Sequence, residues 1–234
     1  MNGKLIFFGL ALILLGCKEQ QKDKVSPDPE EKEPQWISLM DASQWRGYNM
    51  DSLPEKWVVK DSLITCFGDA EAEGGDIISK ETYDNFELSL EWKISEAGNS
   101  GIFYHVVEDT LYGSAASTGP EYQILDDVGF PEPIEDWQKT GANYAMHTAN
   151  AKKKLKAVGE WNSSRIIFDR GKVEHWLNGE KIVEFDKNSA DWDERREAGK
   201  WKDYPAYGKT NDGHFALQDH GAGVWFRKIK VRRL

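Results

Sequence analysis

The chain has 234 residues, with 30 Lys and Arg against 40 Asp and Glu, and a formal net charge of −10. That charge argues against nucleic acid as a partner, because neutralising phosphates needs basic patches. Two cysteines, Cys17 and Cys66, exclude a disulfide framework and a cysteine-rich zinc site.

The first element is an export signal. Lys4 precedes an almost unbroken apolar run from Leu5 to Leu15, followed at once by Gly16 and Cys17. About eleven apolar residues suit the core of a secretory signal, whereas a membrane span needs ~20. Leu14-Leu15-Gly16-Cys17 resembles the lipobox of bacterial lipoproteins, so residues 1–17 are read as a lipoprotein signal with Cys17 as the lipidated residue. Residues 18–34 hold charges, glutamines and three prolines with Val25 as the one aliphatic side chain, and read as a flexible tether. Lys18-Glu19 resembles the acidic export signals of Bacteroidetes lipoproteins. The expected location is the cell envelope, lipid-anchored at the outer membrane, with Cys17 as the sole membrane attachment.

Residues 35–234 suffice for one domain with an ample core. Strands are expected at 57–64 and 76–79. The clearest follows: Phe86, Leu88, Leu90, Trp92 and Ile94 alternate with Glu87, Ser89, Glu91 and Lys93, the period of a strand with one buried and one polar face. Gly98-Asn99 marks a turn into a strand at 101–107, where Gly101, Phe103 and His105 are expected to share a face. Further strands are expected at 122–125, 165–169, 173–177, 181–185, 214–218 and 224–231. Asp169-Arg170-Gly171 and Asn178-Gly179 are tight-turn signals joining three of them. A long loop, punctuated by Pro131 and Pro133, spans 126–140. Residues 188–211, crowded with charge around Trp192, Trp201 and Tyr204, read as a short helix and ordered loop. The fold class is therefore all-β, an antiparallel β-sandwich of jelly-roll type with a short helical insertion near 188–211.

The most informative run is Glu121-Tyr122-Gln123-Ile124-Leu125-Asp126. Alternation puts Glu121, Gln123 and Leu125 on one face, and a bulge before Asp126 would return that carboxylate to the same face. The run resembles the Glu-x-Asp-x-x-Glu strand of laminarinase-type β-glucanases, with Gln123 in place of the central acid and Asp126 in place of the second glutamate. That departure puts an ordinary retaining carboxylate pair in doubt. Glu121 is a candidate general base or metal ligand, with Gln123 and Asp126 holding substrate or metal. Glu91, on the polar face of its strand, is a candidate for the border of the same cleft.

Together with Ile78-Ser79-Lys80-Glu81-Thr82-Tyr83, Gly98-Asn99-Ser100-Gly101, Gly159-Glu160-Trp161-Asn162, His175-Trp176-Leu177-Asn178-Gly179 and Leu217-Gln218-Asp219-His220-Gly221, the sequence resembles the 3-keto-disaccharide hydrolase domain family from about Trp36 to Leu234. The resemblance implies a concanavalin A-like sandwich. It also implies hydrolysis of glycosides whose sugar carries a ketone at C3, since that ketone acidifies the C2 proton and opens an elimination–addition route. Candidate catalytic residues are then Glu121, Asp126, His147 and His220. Candidate substrate contacts are Glu91, His105, Gln123, Trp161, Gln218 and Asp219, with Asp219 a candidate to orient His220 or to bond backbone amides in its turn. In the family an arginine is often found at the place of His105. Carboxylates and histidines are compatible with a divalent metal ion, but no close ligand spacing names one. No nucleotide-binding motif is present, so a separate oxidoreductase is expected to supply the 3-keto sugar. The alternative is a non-catalytic, lectin-like carbohydrate-binding lipoprotein on the same sandwich.

Overall fold

The structure, a computed structural model, describes Met1, Gly3 and residues 35–69 and 71–234. The signal segment from Lys4, Cys17 and the 18–34 tether lie outside the described residues. Among the described residues, no helix is long and apolar enough to cross a membrane.

Thirteen strands follow in chain order: β1 (Ile37–Ser38), β2 (Trp45–Gly47), β3 (Trp57–Lys60), β4 (Leu63–Cys66), β5 (Ile77–Ser79), β6 (Phe86–Ile94), β7 (Asn99–Val106), β8 (Glu121–Leu125), β9 (Asn162–Asp169), β10 (Lys172–Leu177), β11 (Glu180–Asp186), β12 (His214–Leu217) and β13 (Val224–Arg233). Among the described residues one α-helix, α1 (Ala190–Ala198), interrupts them, alongside four short 3-10 turns. The larger sheet runs β11-β10-β9-β6-β13-β4-β3 and the smaller β2-β5-β12-β7-β8, with every pairing antiparallel. The ten-residue β13 uses its second edge twice, pairing β4 through Val224–Phe226 and β1 through Lys230–Val231. This is the jelly-roll sandwich expected from the strand pattern.

The core follows from period-two alternation. Phe86, Leu88, Leu90 and Trp92 of β6 face Ile102, Tyr104, Tyr122 and Ile124 of β7 and β8 across the sandwich. The buried phenol of Tyr122 bonds across the layers, accepting from Ser164 Oγ at 2.8 Å and donating to the Trp176 carbonyl at 3.2 Å. Because Tyr122 and Ile124 point inward, Glu121 and Gln123 must point outward.

Two local expectations are corrected. The strand expected at 57–64 is a hairpin: Asp61 (φ 52°) and Ser62 (φ 59°) turn the chain between β3 and β4. His105 does not share a face with Gly101 and Phe103. Its φ is 54° and the β7–β12 register shifts opposite it, between His214 and Ala216. This irregularity turns the imidazole into the core, edge-on to Phe86 and 4.3 Å from the Phe168 ring centroid, with Nε2 donating to the Asp84 carbonyl at 2.8 Å. Burial, and then the nearby Lys187 ammonium, push its pKa down to about 3, so it stays neutral.

The insertion is anchored at its base. Ser189 caps α1 by accepting from Trp192 N at 3.2 Å. Phe185, Trp192, Tyr207 and Trp201 then stack in succession, with ring centroids 5.5, 6.0 and 3.9 Å apart. This aromatic column fixes the residue just before Trp201, namely Lys200.

Candidate active site

Glu121 opens β8, the edge strand of the smaller sheet. The following loop covers that edge: Tyr144 N donates to the Glu121 carbonyl and Gln123 N to the Ala142 carbonyl, both at 3.1 Å. Glu121 is 4 % exposed, and its carboxylate makes no hydrogen bond to another described residue. Burial pushes its pKa up to about 8; the Lys200 ammonium pulls against this and Asp76 adds to it.

Register explains what surrounds the carboxylate. Phe103 of β7 stands opposite Glu121 and Gly101 opposite Gln123. Gln218 N donates to the Gly101 carbonyl at 3.0 Å, and Asp219 N to Asp76 Oδ1 at 3.1 Å. The outer face thus carries a row of Asp76, Gln218, Gly101 and Gln123 across four strand lines. The Glu121 side chain leans over Gly101, where a Cβ would meet its Oε1 at 2.2 Å. The absence of a side chain at 101 makes room for the carboxyl. Replacing Gly101 by Ala is expected to displace it, costing about 1–3 kcal/mol of stability and at least tenfold in activity, measured by thermal unfolding and turnover.

The neighbours are polar and partly unsatisfied. Gln218 Oε1 and Tyr207 Oη are buried without hydrogen-bond partners among the described residues. Gln123 Nε2 donates to Asn99 Oδ1 at 2.9 Å. Burial pushes the Asp76 pKa up to about 6, against hydrogen bonds from the Asp219 and Ala115 amides. Lys200 Nζ lies 4.6 Å from the Tyr144 ring and 4.7 Å from the Trp201 ring, and burial pulls its pKa down while Glu121 pulls it up. A buried carboxyl pushed up to about 8, a neighbouring ammonium and a set of amide groups are the chemistry that proton transfer beside a developing negative charge requires.

The family model described as 3-keto-alpha-glucoside-1,2-lyase-like domain matches residues 35–232. The chain belongs to this family. A 3-keto-disaccharide hydrolase of Bacteroides thetaiotaomicron is 33% identical over 228 residues, covering 85% of this chain and 78% of that protein. Two solved structures from Parabacteroides distasonis ATCC 8503, both assigned as glycosyl hydrolases, are also similar. One is 40% identical with a TM-score of 0.79, covering 85% of this chain and 94% of its own. The second is 27% identical with a TM-score of 0.67, covering 86% and 100%.

In this 3-keto-glucoside-1,2-lyase-like domain, three of the residues singled out in the sequence come together: Glu121, Gln123 and Gln218. Others stand elsewhere. β8 pairs with β7 without a bulge up to Leu125, so Asp126 does not return to the Glu121 face. Its carboxylate instead accepts from the amides of Ala97, Val128 and Gly129 at 3.0, 3.2 and 2.8 Å. Burial raises the Asp126 pKa, but these three donors outweigh it and hold the group below its usual range. Asp126→Ala is expected to cost about 2–4 kcal/mol at neutral pH. That difference shrinks on acidification through the carboxylate range, because a depressed pKa stabilises the fold only while the group is ionised. Denaturant titrations at pH 7 and pH 3 read both.

His147 stacks on Phe185, 4.3 Å between centroids, with Nδ1 3.2 Å from Asn143 Nδ2 and Nε2 3.4 Å from Asp191. Burial pushes its pKa down to about 4, with Arg195 adding to this and Asp191 opposing. Asp219 bonds backbone amides, accepting from Gly75 N at 3.0 Å and Gly221 N at 2.9 Å, and makes no hydrogen bond to the exposed His220. Glu91 belongs to the outer face of the other sheet, paired with Arg227 at 2.7 Å and Lys228 at 2.8 Å. Trp161 lies on that same side, its ring 4.0 Å from the Arg227 guanidinium.

Sequence reasoning missed Asp76, Lys200 and Tyr207. Asp76 carried a faint signal, an acid between Gly75 and the apolar Ile77-Ile78. Lys200 and Tyr207 carried none, because only the folding of the insertion brings them to β8. Among the described residues, no three His, Cys, Asp or Glu side chains stand close enough to hold a metal ion.

Proposed function

We propose that this domain hydrolyses the glycosidic bond of 3-keto-disaccharides by elimination and water addition, with Glu121 as the base. Hydrolysis of glycosidic bonds is supported by family membership and by the 3-keto-disaccharide hydrolase relative. The elimination route is supported by the 1,2-lyase chemistry in the family's description and, above all, by the buried carboxyl of Glu121, pushed up to about 8.

In this reading Glu121 takes the proton from C2. The electron pair moves onto the C3 oxygen, and the Lys200 ammonium faces the resulting enolate. Collapse of the enolate breaks the C1–O bond, and the departing oxygen takes the proton that Glu121 removed, leaving a C1–C2 double bond conjugated with the ketone. Water then adds to C1, giving up a proton to the Glu121 carboxylate, which delivers it to C2. The products are one alcohol and one free 3-keto sugar, with one water consumed. Gln123, Asn99 and Gln218 supply amide groups for sugar hydroxyls. Should a hard divalent cation take part, the oxygens of Asp76, Glu121 and Gln218 Oε1 are the donors of suitable chemistry. The reading includes lipid attachment through Cys17 at the cell envelope and a separate oxidoreductase that forms the ketone.

The test is incubation with a glucoside and with its 3-keto counterpart, with and without added divalent metal and chelator. Cleavage restricted to the keto substrate is expected. Equal cleavage of both, or sugar binding without cleavage in every condition, would overturn the proposal.

A further inference from the structure

The outer face of the larger sheet, opposite the site just described, has its own chemistry. One cross-strand row is defined by register: Ser38 of β1 opposite Lys230 of β13, Lys230 opposite Ser89 of β6, Ser89 opposite Arg165 of β9, and Arg165 opposite Trp176 of β10. Hydroxyl, ammonium, hydroxyl, guanidinium and indole therefore alternate across five strands. At ~4.8 Å between strands, the row is about 19 Å long.

The row lies in a depression. Small side chains at 38, 89 and 163 leave space, and the break in β13 register between Arg227 and Lys230, with Lys228 at φ 54°, interrupts the pleat beside them. One groove of about 470 Å³ is lined by Trp36, Ser38, Ser89, Glu91 and Lys230 among others. A second of about 290 Å³ is lined by Ser89, Ser163, Arg165 and Trp176 among others. They share Ser89 and Ser163, and a tryptophan stands at either end, Trp36 exposed and Trp176 half-buried. Trp36 is 38 % exposed and sits 4.5 Å from Lys230 Nζ, while the Trp176 ring lies 4.1 Å from the Arg165 guanidinium.

The charge of this face opposes that of the chain. Glu87 is shared by Arg165 and Arg232, and Glu91 by Arg227 and Lys228, so each carboxylate leaves one positive charge over. Lys230 adds another, with no ion pair among the described residues, while at the Trp176 end Glu174, which accepts from Trp176 Nε1 at 2.8 Å, and Glu184 share Lys181 and take one back. An acidic protein thus presents a cationic groove floored by serines and ended by indoles. Indole faces accept the C–H surface of a pyranose, serine hydroxyls bond its hydroxyls, and spaced cations call for anionic groups at intervals along the ligand.

We infer that this groove is a second, non-catalytic carbohydrate site that binds an acidic polysaccharide chain lying across the strands. Such a site keeps the domain on an anionic glycan while Glu121 works on the opposite face. It stands independently of the chemistry proposed for Glu121.

The probes are polygalacturonate and a neutral β-glucan, titrated into the full chain in detergent at low and high salt. Polygalacturonate is expected to bind, more weakly at high salt, and the neutral glucan at least tenfold more weakly. The double variant Arg165→Gln, Lys230→Gln and the single variant Trp176→Ala are each expected to weaken polygalacturonate binding roughly tenfold. Glu121→Gln is expected to retain it, as is a control that replaces the exposed Lys80 and Lys209 with Gln. Circular dichroism identifies any variant that fails to fold, for which Lys230→Gln alone serves instead. No binding, equal binding of the neutral glucan, an undiminished double variant or an equally weakened control would overturn the inference. Binding to anionic phospholipid vesicles that polygalacturonate does not displace would assign the groove to lipid and overturn it as well.

Discussion

Replacing Glu121 by Gln is expected to lower kcat on 3-keto-disaccharides by about 10²–10⁴-fold and, at alkaline pH, to make the protein more stable. The first effect follows from removing the base while keeping its shape. The second follows from linkage. In the unfolded chain Glu121 ionises in the ordinary carboxylate range, whereas in the fold its pKa is about 8 because burial opposes the charge. Between those values the unfolded state gains by losing its proton and the folded state does not. Wild-type stability from this group is therefore present below the unfolded pKa and is lost as pH rises through about 8. Gln carries no such loss. The variant should melt at the wild-type temperature near pH 4 and about 2–4 °C or more above it near pH 9, for a gain of at least about 1 kcal/mol in a domain of this size. Calorimetry at the two pH values reads it. A variant that is inactive and also less stable at pH 9 would mean that Glu121 has a partner that holds its charge.

Lys200→Met is the second large effect. An ammonium facing a developing enolate is worth about 10²–10³ in kcat. Lys200 also lowers the Glu121 pKa, so its removal should move the limb of kcat/KM that rises with pH to higher pH. A purely structural lysine would change stability and leave the limb in place. The pH profile of kcat/KM separates the two roles.

The sandwich was legible because alternation is a direct record of burial. In 86–94 every second residue is apolar, and the structure buries those residues and sets their neighbours on the outer face. The turns at Arg170-Gly171 and Asn178-Gly179 were equally readable, since both join adjacent strands with φ above zero, and each has a glycine to adopt it. The Asp61-Ser62 turn needs the same backbone without a glycine, and so the β3–β4 hairpin read as one long strand.

The site was legible only where it depends on strand parity. Parity put Glu121 and Gln123 on one face correctly. It failed for His105, because an irregularity two residues beyond Phe103 rotates the chain, and the sequence carries no mark of it. Asp126 looked catalytic by its spacing to Glu121, yet the same aspartate chemistry serves a loop whose amides need an acceptor. Lys200 was hidden for a different reason. Its position depends on an aromatic column closing 185, 192, 201 and 207 onto the sandwich, which is tertiary packing with no local periodicity.

In the proposed route, proton abstraction at C2 is the step from which the remaining chemistry follows, and it should leave an isotopic trace. The reaction should be run to partial conversion in deuterated water with the 3-keto-disaccharide, and the released 3-keto sugar read at once by mass spectrometry and proton NMR. Elimination followed by addition predicts one deuterium at C2 of the product, with little in a control lacking enzyme. Product released at the same rate with hydrogen fully retained at C2 would contradict the mechanism, and with it the role given to Glu121.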